Sequence, residues 1–429
     1  MASKKYDFDY TVIGSGPAGK IGAMIAASAG LKTAIIEASY WGGTGFARDL
    51  IATTSLHFMR SLKKINFDAA KNIYDSRPNL KLQTLALRRK KLLTITQQDN
   101  YEALISSNIK CIHARAKFIS PHEVEIGKQT LSSENFLIAT GASFAKPNID
   151  GLEKTTYLTS ENAFNLISPP RSVFVVGAGA AGCEIAQYYS SLGCKVVLAE
   201  LSSRILPKED EEVGEFVKKF FERTGITILP HTRVTAISQD SQQKYVNILY
   251  NSAHHTIRTE LIILATGTAP SLNFSPEAAS LSLSGKSISH TKFLQTNQKH
   301  IWLAGDILND QSSNERSEYE SALATANVIN RTKNVANYSG FVRRIDIFPN
   351  VSTVGLTEDD CIKRDLKYKK IQVPLSDTLY SKIANQDFGF IKLIVSKQNK
   401  ILGAVIVADN SDLLIQEISL AVRHNLTYE

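Results

Sequence analysis

The chain has 429 residues, of which 43% are hydrophobic and 21% charged, and its formal net charge at pH 7 is +8. This composition is typical of a soluble globular protein of two to four domains. No apolar run is long enough for a membrane span or a signal-peptide core, so we expect a cytoplasmic protein with no membrane partner. The four cysteines show neither CxxC nor zinc spacing, and the sequence therefore predicts no disulfide framework and no metal site.

The first predicted element is an apolar strand that enters the motif Gly14-Ser-Gly16-Pro-Ala-Gly19, followed by an alanine-rich helix. Glycines at this spacing permit a tight turn, close approach to a pyrophosphate and close helix packing, and the phosphates rest on the helix N-terminus. A second strand ends at Glu37, whose carboxylate can accept hydrogen bonds from a ribose. The pattern predicts a dinucleotide site formed by these four residues.

The next segment, YWGGTGFARDLIATTSL at residues 40–56, opens as a glycine-rich loop and continues into an apolar helix. It contains no cysteine, no histidine and no metal ligand set. The residue types alone therefore assign no chemistry to this segment.

The densest basic run follows at Arg88-Arg89-Lys90-Lys91. No aromatic residues are interleaved with it, and no recognisable nucleic-acid module accompanies it. We interpret it as the solvated face of a helix and predict no nucleic-acid partner.

The glycine pattern recurs at Gly177-Ala-Gly179-Ala-Ala-Gly182, again after an apolar strand and before a helix and a second strand that ends at Glu200. The acid follows the third glycine by eighteen positions in both copies. One such motif is a weak signal, but two copies with the same acid spacing strongly indicate two dinucleotide sites. Two sites predict electron transfer between two dinucleotides, and a flavin and a nicotinamide are the natural pair.

Three further apolar strands end in residues suited to a cofactor crevice. Two of them end in Ala-Thr-Gly, one at Thr140-Gly141 and the other at Gly267, where glycine lets the chain turn beneath a cofactor. The third ends at Asp306. We predict that this carboxylate contacts the ribityl chain of a flavin, although capping of the next turn is the alternative.

With these motifs, the chain resembles the class I pyridine nucleotide-disulfide oxidoreductases, which include dihydrolipoamide dehydrogenase, glutathione and mercuric reductases and the soluble transhydrogenases. The resemblance implies an α/β fold with two Rossmann-like dinucleotide-binding domains and a C-terminal α+β dimerisation domain. It implies an FAD-binding domain at 1–150 and 270–340, an NAD(P)-binding domain at 151–269, and a dimerisation domain at 341–429 that is truncated. A homodimer is therefore expected.

The segment at 40–56 departs from the family pattern Gly-Gly-Thr-Cys-x-x-x-Gly-Cys-x-Pro-Ser-Lys, whose two cysteines form the redox disulfide beside the isoalloxazine. Gly43 and Thr44 keep the part that cradles FAD, but Gly45 and Leu50 occupy the cysteine positions. Thr54 replaces the lysine that the family holds near flavin N5. The chain also stops short of the family's C-terminal His-Pro-x-x-x-Glu base, which would have no use without the disulfide.

Glu184 follows the second glycine motif, where the resemblance implies a glutamate beside the nicotinamide. Because Thr54 replaces its usual lysine partner, Glu184 is expected to be an unpaired, partly buried carboxylate; a glutamate favoured by the helix dipole is the alternative. The candidate catalytic positions are Leu50, Thr54 and Glu184.

Hydride transfer needs stacked rings in a near-attack geometry and no protein nucleophile, so this step survives the loss of the disulfide. The leading hypothesis is an FAD-dependent NAD(P)H oxidoreductase with a small-molecule, non-disulfide acceptor such as a quinone, a dye, oxygen or a nucleotide. The alternatives are a catalytically silent or redox-sensing flavoprotein and a disulfide or metal-ion reductase that uses another thiol, such as Cys183. NADH is expected rather than NADPH, because Glu200 would bond the ribose 2′-hydroxyl and repel a 2′-phosphate.

Overall fold

The structure is a computed structural model that describes residues 6–70, 81–308, 313–383 and 388–429. The chain packs into two compact units. Their ranges are Met1–Ile51, Arg88–Ala145 and Thr268–Asn337 for the first unit, and Ala52–Leu87, Lys146–Gly267 and Tyr338–Glu429 for the second. The predicted NAD(P)-binding and dimerisation segments therefore share the second unit, and they share it with residues 52–87.

The secondary structure alternates strands and helices in both units. In chain order the strands are β1 (Phe8–Ile13), β2 (Thr33–Glu37), β3 (Lys110–His113), β4 (Ala116–Ser120), β5 (Glu123–Ile126), β6 (Gln129–Ile138), β7 (Ala142–Phe144), β8 (Leu158–Thr159), β9 (Ser172–Val176), β10 (Lys195–Ala199), β11 (Ile226–Leu229), β12 (Arg233–Gln239), β13 (Lys244–Tyr250), β14 (Ala253–Thr259), β15 (Leu261–Leu264), β16 (Thr268–Pro270), β17 (Leu283–Ser284), β18 (Ser287–Ile288), β19 (Ile301–Leu303), β20 (Val342–Ile345), β21 (Asn350–Gly355), β22 (Tyr368–Pro374), β23 (Phe390–Ser396) and β24 (Ile401–Ala408). The helices are α1 (Pro17–Ser28), α2 (Gly43–Ala70), α3 (Leu82–Ser106), α4 (Ala180–Ser191), α5 (Glu211–Arg223), α6 (Asn314–Asn330), α7 (Glu358–Lys363), α8 (Leu379–Ile383) and α9 (Ser411–Arg423).

The first unit is built on a mostly parallel sheet in the order β3-β2-β1-β6, with β19 paired to the C-terminal part of β6 along the edge that faces away from β1. The N-terminal part of β6 continues into an antiparallel extension through β5 and β4. Its central strands are apolar on both faces, as in β2, where every residue is buried. Continuous apolar runs of this kind are typical of parallel strands covered on both sides. The carboxyl ends of β1, β2, β6 and β19 meet at one edge.

Helix α1 packs on this sheet beside α6 through small residues. The Ser321 hydroxyl on α6 donates to the carbonyl O of Ala18 at 2.5 Å, and the Tyr10 and Thr325 hydroxyls are hydrogen-bonded at 2.9 Å. A Cβ at Gly22 would lie only 2.5 Å from Ser321 Oγ. The alanine- and glycine-rich sequence of α1 thus permits a close approach to α6.

The second unit repeats the parallel arrangement in the order β11-β10-β9-β15-β8, and α4 follows β9 as α1 follows β1. The repeated glycine motifs therefore occupy equivalent turns. An antiparallel sheet, β12-β13-β14, lies in the same unit.

The C-terminal part of the second unit is an antiparallel sheet in the order β20-β21-β24-β23-β22, on which α9 packs. Val354, Ile406 and Ile415 are among the residues of its apolar core. The two parallel sheets and this α+β part confirm the predicted α/β fold class.

Candidate dinucleotide sites

The carboxyl edge of the first unit's sheet borders a cavity of about 400 Å³. Eight of the predicted cofactor-binding residues line it: Gly14, Gly16, Glu37, Gly43, Thr44, Thr140, Gly141 and Asp306. A crevice at this edge, where the connections pass to opposite sides of the sheet, is the usual binding place for a dinucleotide.

Two glycines of the first motif pack tightly beneath the cavity and one faces it. Gly14 has a φ of 100°, and a Cβ there would lie 2.3 Å from the carbonyl O of Ala139. A Cβ on Gly19 would lie 1.8 Å from the carbonyl O of Gly14. At Gly16 the nearest atom to a Cβ is 3.9 Å away, so space remains above this residue. The turn therefore packs closely at Gly14 and Gly19 and leaves open space at Gly16, as a bound pyrophosphate requires.

Helix α1 begins directly at this open space. Its N-cap is Gly16, which offers no side-chain acceptor, and Pro17 follows at the first helical position. The first backbone N–H groups of a helix need acceptors, and the helix dipole favours an anion there. A diphosphate supplies both the acceptor oxygens and the negative charge.

Glu37 is fixed at the carboxyl end of β2 and is only 6% exposed. One carboxylate oxygen accepts the backbone N–H of Ser15 at 2.8 Å and its hydroxyl at 2.7 Å, and the other accepts the N–H of Ser39 at 2.7 Å. These bonds hold the carboxylate against the cavity. Since a carboxylate has about four acceptor positions, capacity remains for a ribose hydroxyl.

Helix α2 forms another wall. Its first residue lies so close to the glycine motif that a Cβ on Gly43 would lie 2.8 Å from the Cα of Gly16. In its first turns Thr44, Gly45 and Arg48 line the cavity. Leu50 is half-buried on the same helix and is not among the lining residues.

The cavity fits FAD, since it offers an acid for a ribose, an uncapped helix start for a diphosphate, and Asp306 with Thr140 for a hydroxylated chain. Asp306 begins a short 3₁₀ turn directly after β19. The Thr140 hydroxyl donates to the carbonyl O of Ser271 at 2.9 Å, which leaves its oxygen able to accept.

The second unit reproduces the local geometry. A Cβ on Gly177 would lie 2.5 Å from the carbonyl O of Ala265, and one on Gly182 would lie 1.9 Å from the carbonyl O of Gly177. Gly179 is again the N-cap of its helix, without a side-chain cap, and has no atom within 4 Å of its Cβ position. The open N-terminus of α4 therefore has the same anion-binding character as that of α1.

Glu200 corresponds to Glu37 in its hydrogen bonds as well as in sequence. It is 8% exposed and accepts the N–H of Ala178 at 2.6 Å and that of Ser202 at 2.8 Å. Gly267 follows β15 with a φ of 95° and has open space at its Cβ position. These residues surround the carboxyl edge of the second parallel sheet.

The structure corrects the expectation that Glu184 is unpaired. Its Oε1 accepts the backbone N–H of Asp346 at 2.8 Å. Sequence reasoning missed this partner because Asp346 lies 162 positions away and carries no motif. Thr54 is half-buried on α2, four positions after Leu50, so the two residues share a helix face.

All four cysteines are free, and the pKa of each thiol is raised. Cys183 is fully buried, and burial with the nearby Glu184 and Glu200 raises its pKa well above the usual value. Burial raises the pKa of Cys194 to about 11. A reactive thiol needs a lowered pKa and exposure. The four environments instead favour inert packing thiols.

The repeated fold gives each unit a crevice of the kind that binds a dinucleotide. Residues 8–329 match the pyridine nucleotide-disulphide oxidoreductase family, and residues 346–429 match the dimerisation domain of that family. The chain therefore belongs to the pyridine nucleotide-disulphide oxidoreductases, as the sequence motifs predicted.

Similar proteins cover nearly the whole chain. A mercuric reductase from Bacillus cereus is 31% identical over 98% of this chain and 68% of its own length. A dihydrolipoyl dehydrogenase from Mycobacterium bovis is 26% identical over 98% of this chain and 92% of its own length. Among solved structures, the HOCl-induced flavoprotein disulfide reductase RclA from Escherichia coli has a TM-score of 0.86 at 23% identity, covering 98% of this chain and 94% of that one. This structural likeness establishes the fold.

Membership makes the chain an oxidoreductase of a family that uses FAD with a pyridine nucleotide, and it confirms the predicted family and fold class. Among the helices of the described residues, none combines the length and the apolar character needed to cross a bilayer. The cytoplasmic location stays a prediction.

Proposed function

We propose that the protein is an FAD-dependent NAD(P)H oxidoreductase that takes hydride from NADH and passes electrons to a small acceptor that is not a disulfide. The observation that carries this proposal is the sulfur-free start of α2, where Gly45 lines the cavity and Leu50 holds the second cysteine position of the family. The candidate acceptors are a quinone, a dye, oxygen or a second nucleotide.

The residues of the first unit have binding and orienting roles. Bound FAD would supply the two-electron chemistry. Gly14, Gly16 and Gly19 keep the turn close enough for α1 to receive the diphosphate, and Glu37 accepts ribose hydroxyls. Gly43 and Thr44, the first residues of α2, are assigned to another wall of the same site. Thr140, Gly141 and Asp306 are assigned to the flavin half of the cofactor.

In the second unit, Gly177, Gly179 and Gly182 are assigned to the nucleotide diphosphate and Gly267 to the turn beneath the nicotinamide. Glu184 is assigned to the nicotinamide ring. A carboxylate there stabilises the positive charge that the ring gains as hydride leaves. This role requires neither a thiol nor the lysine that Thr54 replaces.

NADH is the proposed donor because the three residues after the ribose acid, Leu201, Ser202 and Ser203, carry no positive charge. Glu200 keeps its carboxylate at the end of β10, and the adjacent Leu201 is 64% exposed. The nearest basic residue in sequence, Arg204, is engaged elsewhere: its Nη2 donates to Asp359 and to the carbonyl O of Glu209, both at 3.2 Å. A 2′-phosphate would therefore meet a negative charge without a clamp.

Three assignments complete the proposal. The domains are FAD-binding at 1–150 and 270–340, NAD(P)-binding at 151–269 and dimerising at 341–429. The match of 346–429 to the dimerisation domain supports a homodimer. A cytoplasmic location is proposed with them.

Anaerobic stopped-flow mixing with NADH tests the function. Bleaching of the flavin absorbance within milliseconds to seconds is expected. A flavin that stays oxidised for hours contradicts the proposal and favours the silent or redox-sensing flavoprotein. A steady-state screen of quinones, dyes, oxygen and thionicotinamide nucleotides then identifies the acceptor, and a disulfide or Hg²⁺ turning over fastest would favour a reductase that uses other thiols.

A further inference from the structure

We propose that Asp346 is a positioning residue for Glu184 in hydride transfer; the inference rests on the proposed function. The backbone N–H of Asp346 donates to Glu184 Oε1 at 2.8 Å. Where this peptide lies therefore decides where that carboxylate oxygen lies. The residues that hold Asp346 in place therefore also affect the position of the Glu184 carboxylate.

The side chain of Asp346 is clamped by two arginines. Arg60 Nη1 lies 3.1 Å from Oδ1, and Arg344 Nη2 lies 3.0 Å from Oδ2. The carboxylate is only 10% exposed and Arg60 is 21% exposed, so this pair is better shielded from solvent than a surface ion pair. A different cation therefore holds each carboxylate oxygen, and the two ion pairs together restrain Asp346 beside Glu184.

The segment after Asp346 makes a second set of hydrogen bonds to α4, the helix that carries Glu184. Gln187 lies three positions beyond Glu184 on α4, and its side-chain amide bonds both the N–H and the carbonyl O of Phe348, at 2.7 and 2.6 Å. Gln187 is fully buried. Residues 346–348 are thus bound to α4 at two points, which restricts sliding of Glu184 against them.

The clamp also connects α2 to Glu184. Arg60 lies on α2, six positions after Thr54. Thr54 has no ammonium group to pair with Glu184, but α2 reaches that residue through Arg60 and the peptide of Asp346. The structure therefore couples the two elements by an indirect route.

This geometry has a chemical consequence. A carboxylate fixed beside the ring favours the cationic nicotinamide of NAD⁺ over the neutral ring of NADH, and it favours the transition state between them. A displacement of 1 Å at such a group can cost about 10²-fold in rate. Loosening Asp346 is therefore expected to slow hydride transfer with little change in NADH affinity.

The test compares five variants of the FAD-loaded protein with wild type. Asp346→Asn keeps the N–H and the side-chain size but removes the anion that both arginines hold. We expect its flavin reduction rate at saturating NADH to fall about tenfold, and Glu184→Gln to fall at least as far. The double variant should be no slower than Glu184→Gln, because the two residues act as one unit.

The matched control is Asp409→Asn. Asp409 also pairs with a cation of α2, Lys64, so this variant loses a comparable ion pair elsewhere in the same unit. Its rate is expected to stay within about twofold of wild type, as is usual for a surface-type pair. Asp346→Glu, which can keep both arginines, should recover part of the rate.

Three outcomes overturn the inference: additive losses in the double variant, an Asp346→Asn loss no larger than that of Asp409→Asn, or no loss in Glu184→Gln. Calorimetry adds a readout that needs no turnover. The ratio of the Kd values for NAD⁺ and NADH should rise in Glu184→Gln and in Asp346→Asn, and an unchanged ratio contradicts the placement. A wild-type flavin that NADH never reduces refutes the proposed function itself, whereas intact reduction with unaffected variants refutes only the role of Asp346.

Discussion

Gly305 donates its backbone N–H to Oε2 of Glu320 at 2.9 Å, and Glu320 is 1% exposed. The other oxygen, Oε1, accepts Arg316 Nε at 2.9 Å. Gly305 has a φ of 81° and comes directly before Asp306 at the cavity edge. This buried carboxylate therefore fixes the turn that places Asp306 at the cavity.

Glu320→Ala is expected to weaken FAD binding about tenfold or more, because a buried N–H without a partner costs about 1–3 kcal/mol. Glu320→Gln keeps an acceptor of the same length and should retain most of the affinity. Quenching of FAD fluorescence by the apoprotein measures the Kd. Glu315→Ala, an exposed position on the same helix, is the control, and wild-type affinity in Glu320→Ala would refute the role.

The second prediction concerns thiols. NADH titration should convert the flavin directly to its two-electron reduced state, with no long-wavelength thiolate band, because Gly45 and Leu50 carry no sulfur. Alkylating the NADH-reduced protein should leave quinone or dye reduction intact. Loss of most acceptor activity on alkylation would show that a thiol such as Cys183 takes part.

The third prediction concerns nucleotide choice. The wild-type kcat/KM should be higher for NADH than for NADPH. Glu200→Gln removes the negative charge but keeps an acceptor oxygen for one of the two loop N–H groups that Glu200 now accepts, so the NADH-to-NADPH ratio should fall about tenfold. Glu37→Gln is the matched control, since it makes the same change in the first unit and should weaken FAD binding without altering nucleotide choice. A preference of the wild type for NADPH would contradict the assignment.

The fourth prediction concerns a buried ion cluster in the second unit. Lys392 is fully buried, and its Nζ lies 2.7 Å from Asp210, 3.0 Å from Glu212 and in contact with Glu358. Lys392→Met removes the cation beside the buried Asp210, while Lys370 still pairs with Glu212 and Glu358. This change should lower the free energy of unfolding by about 3–5 kcal/mol. Chemical denaturation measures it, with exposed Lys369→Met as the control. A change below 1 kcal/mol, on the order expected of a surface pair, would refute the cluster's role.

The same cluster predicts a pH dependence. Burial opposes ionisation of Glu212, but hydrogen bonds from Lys370 and Lys392 outweigh it and lower its pKa from 4.5 to about 2. A carboxyl whose pKa is lower in the folded state stabilises the fold above the unfolded pKa. This stability is therefore complete above about pH 4.5 and is lost as the pH falls toward 2. Glu212→Gln should flatten the acid limb of a stability-against-pH curve; an unchanged limb contradicts the assignment.

The fifth prediction concerns the homodimer. Helix α9 exposes Leu413 at 70% and Leu420 at 58% in the single chain, an apolar face that a partner would cover. Replacing both with Asp should convert dimers to monomers at micromolar concentration in light scattering. Ile167→Asp, at an exposed residue outside this segment, should not. Monomeric wild type would remove the claim.

The sequence by itself determined the two dinucleotide crevices. Gly14 with Glu37, and Gly177 with Glu200, belong to single strand–helix–strand units, where backbone geometry demands particular residues at short spacing. The strand-end residues Thr140 and Asp306 could be predicted for the same reason, since parallel strands end at one edge. The absence of the two cysteines could be recognised because the family motif has fixed spacing, so Gly45 and Leu50 can be matched to the cysteine positions.

Tertiary structure alone decided which distant side chains support these motifs. The partner of Glu184 is a backbone N–H 162 positions away, and its clamp joins α2 to the segment before β21. Lys392 meets acids from two other segments, the start of α5 and the start of α7, in the same way. Neither contact has a period or spacing in the sequence, because each depends on how separate elements pack and which buried charges then need a partner. The motifs therefore determine which residues can bind a dinucleotide, whereas the long-range packing of the fold determines which distant residues hold Glu184 and Lys392 in place.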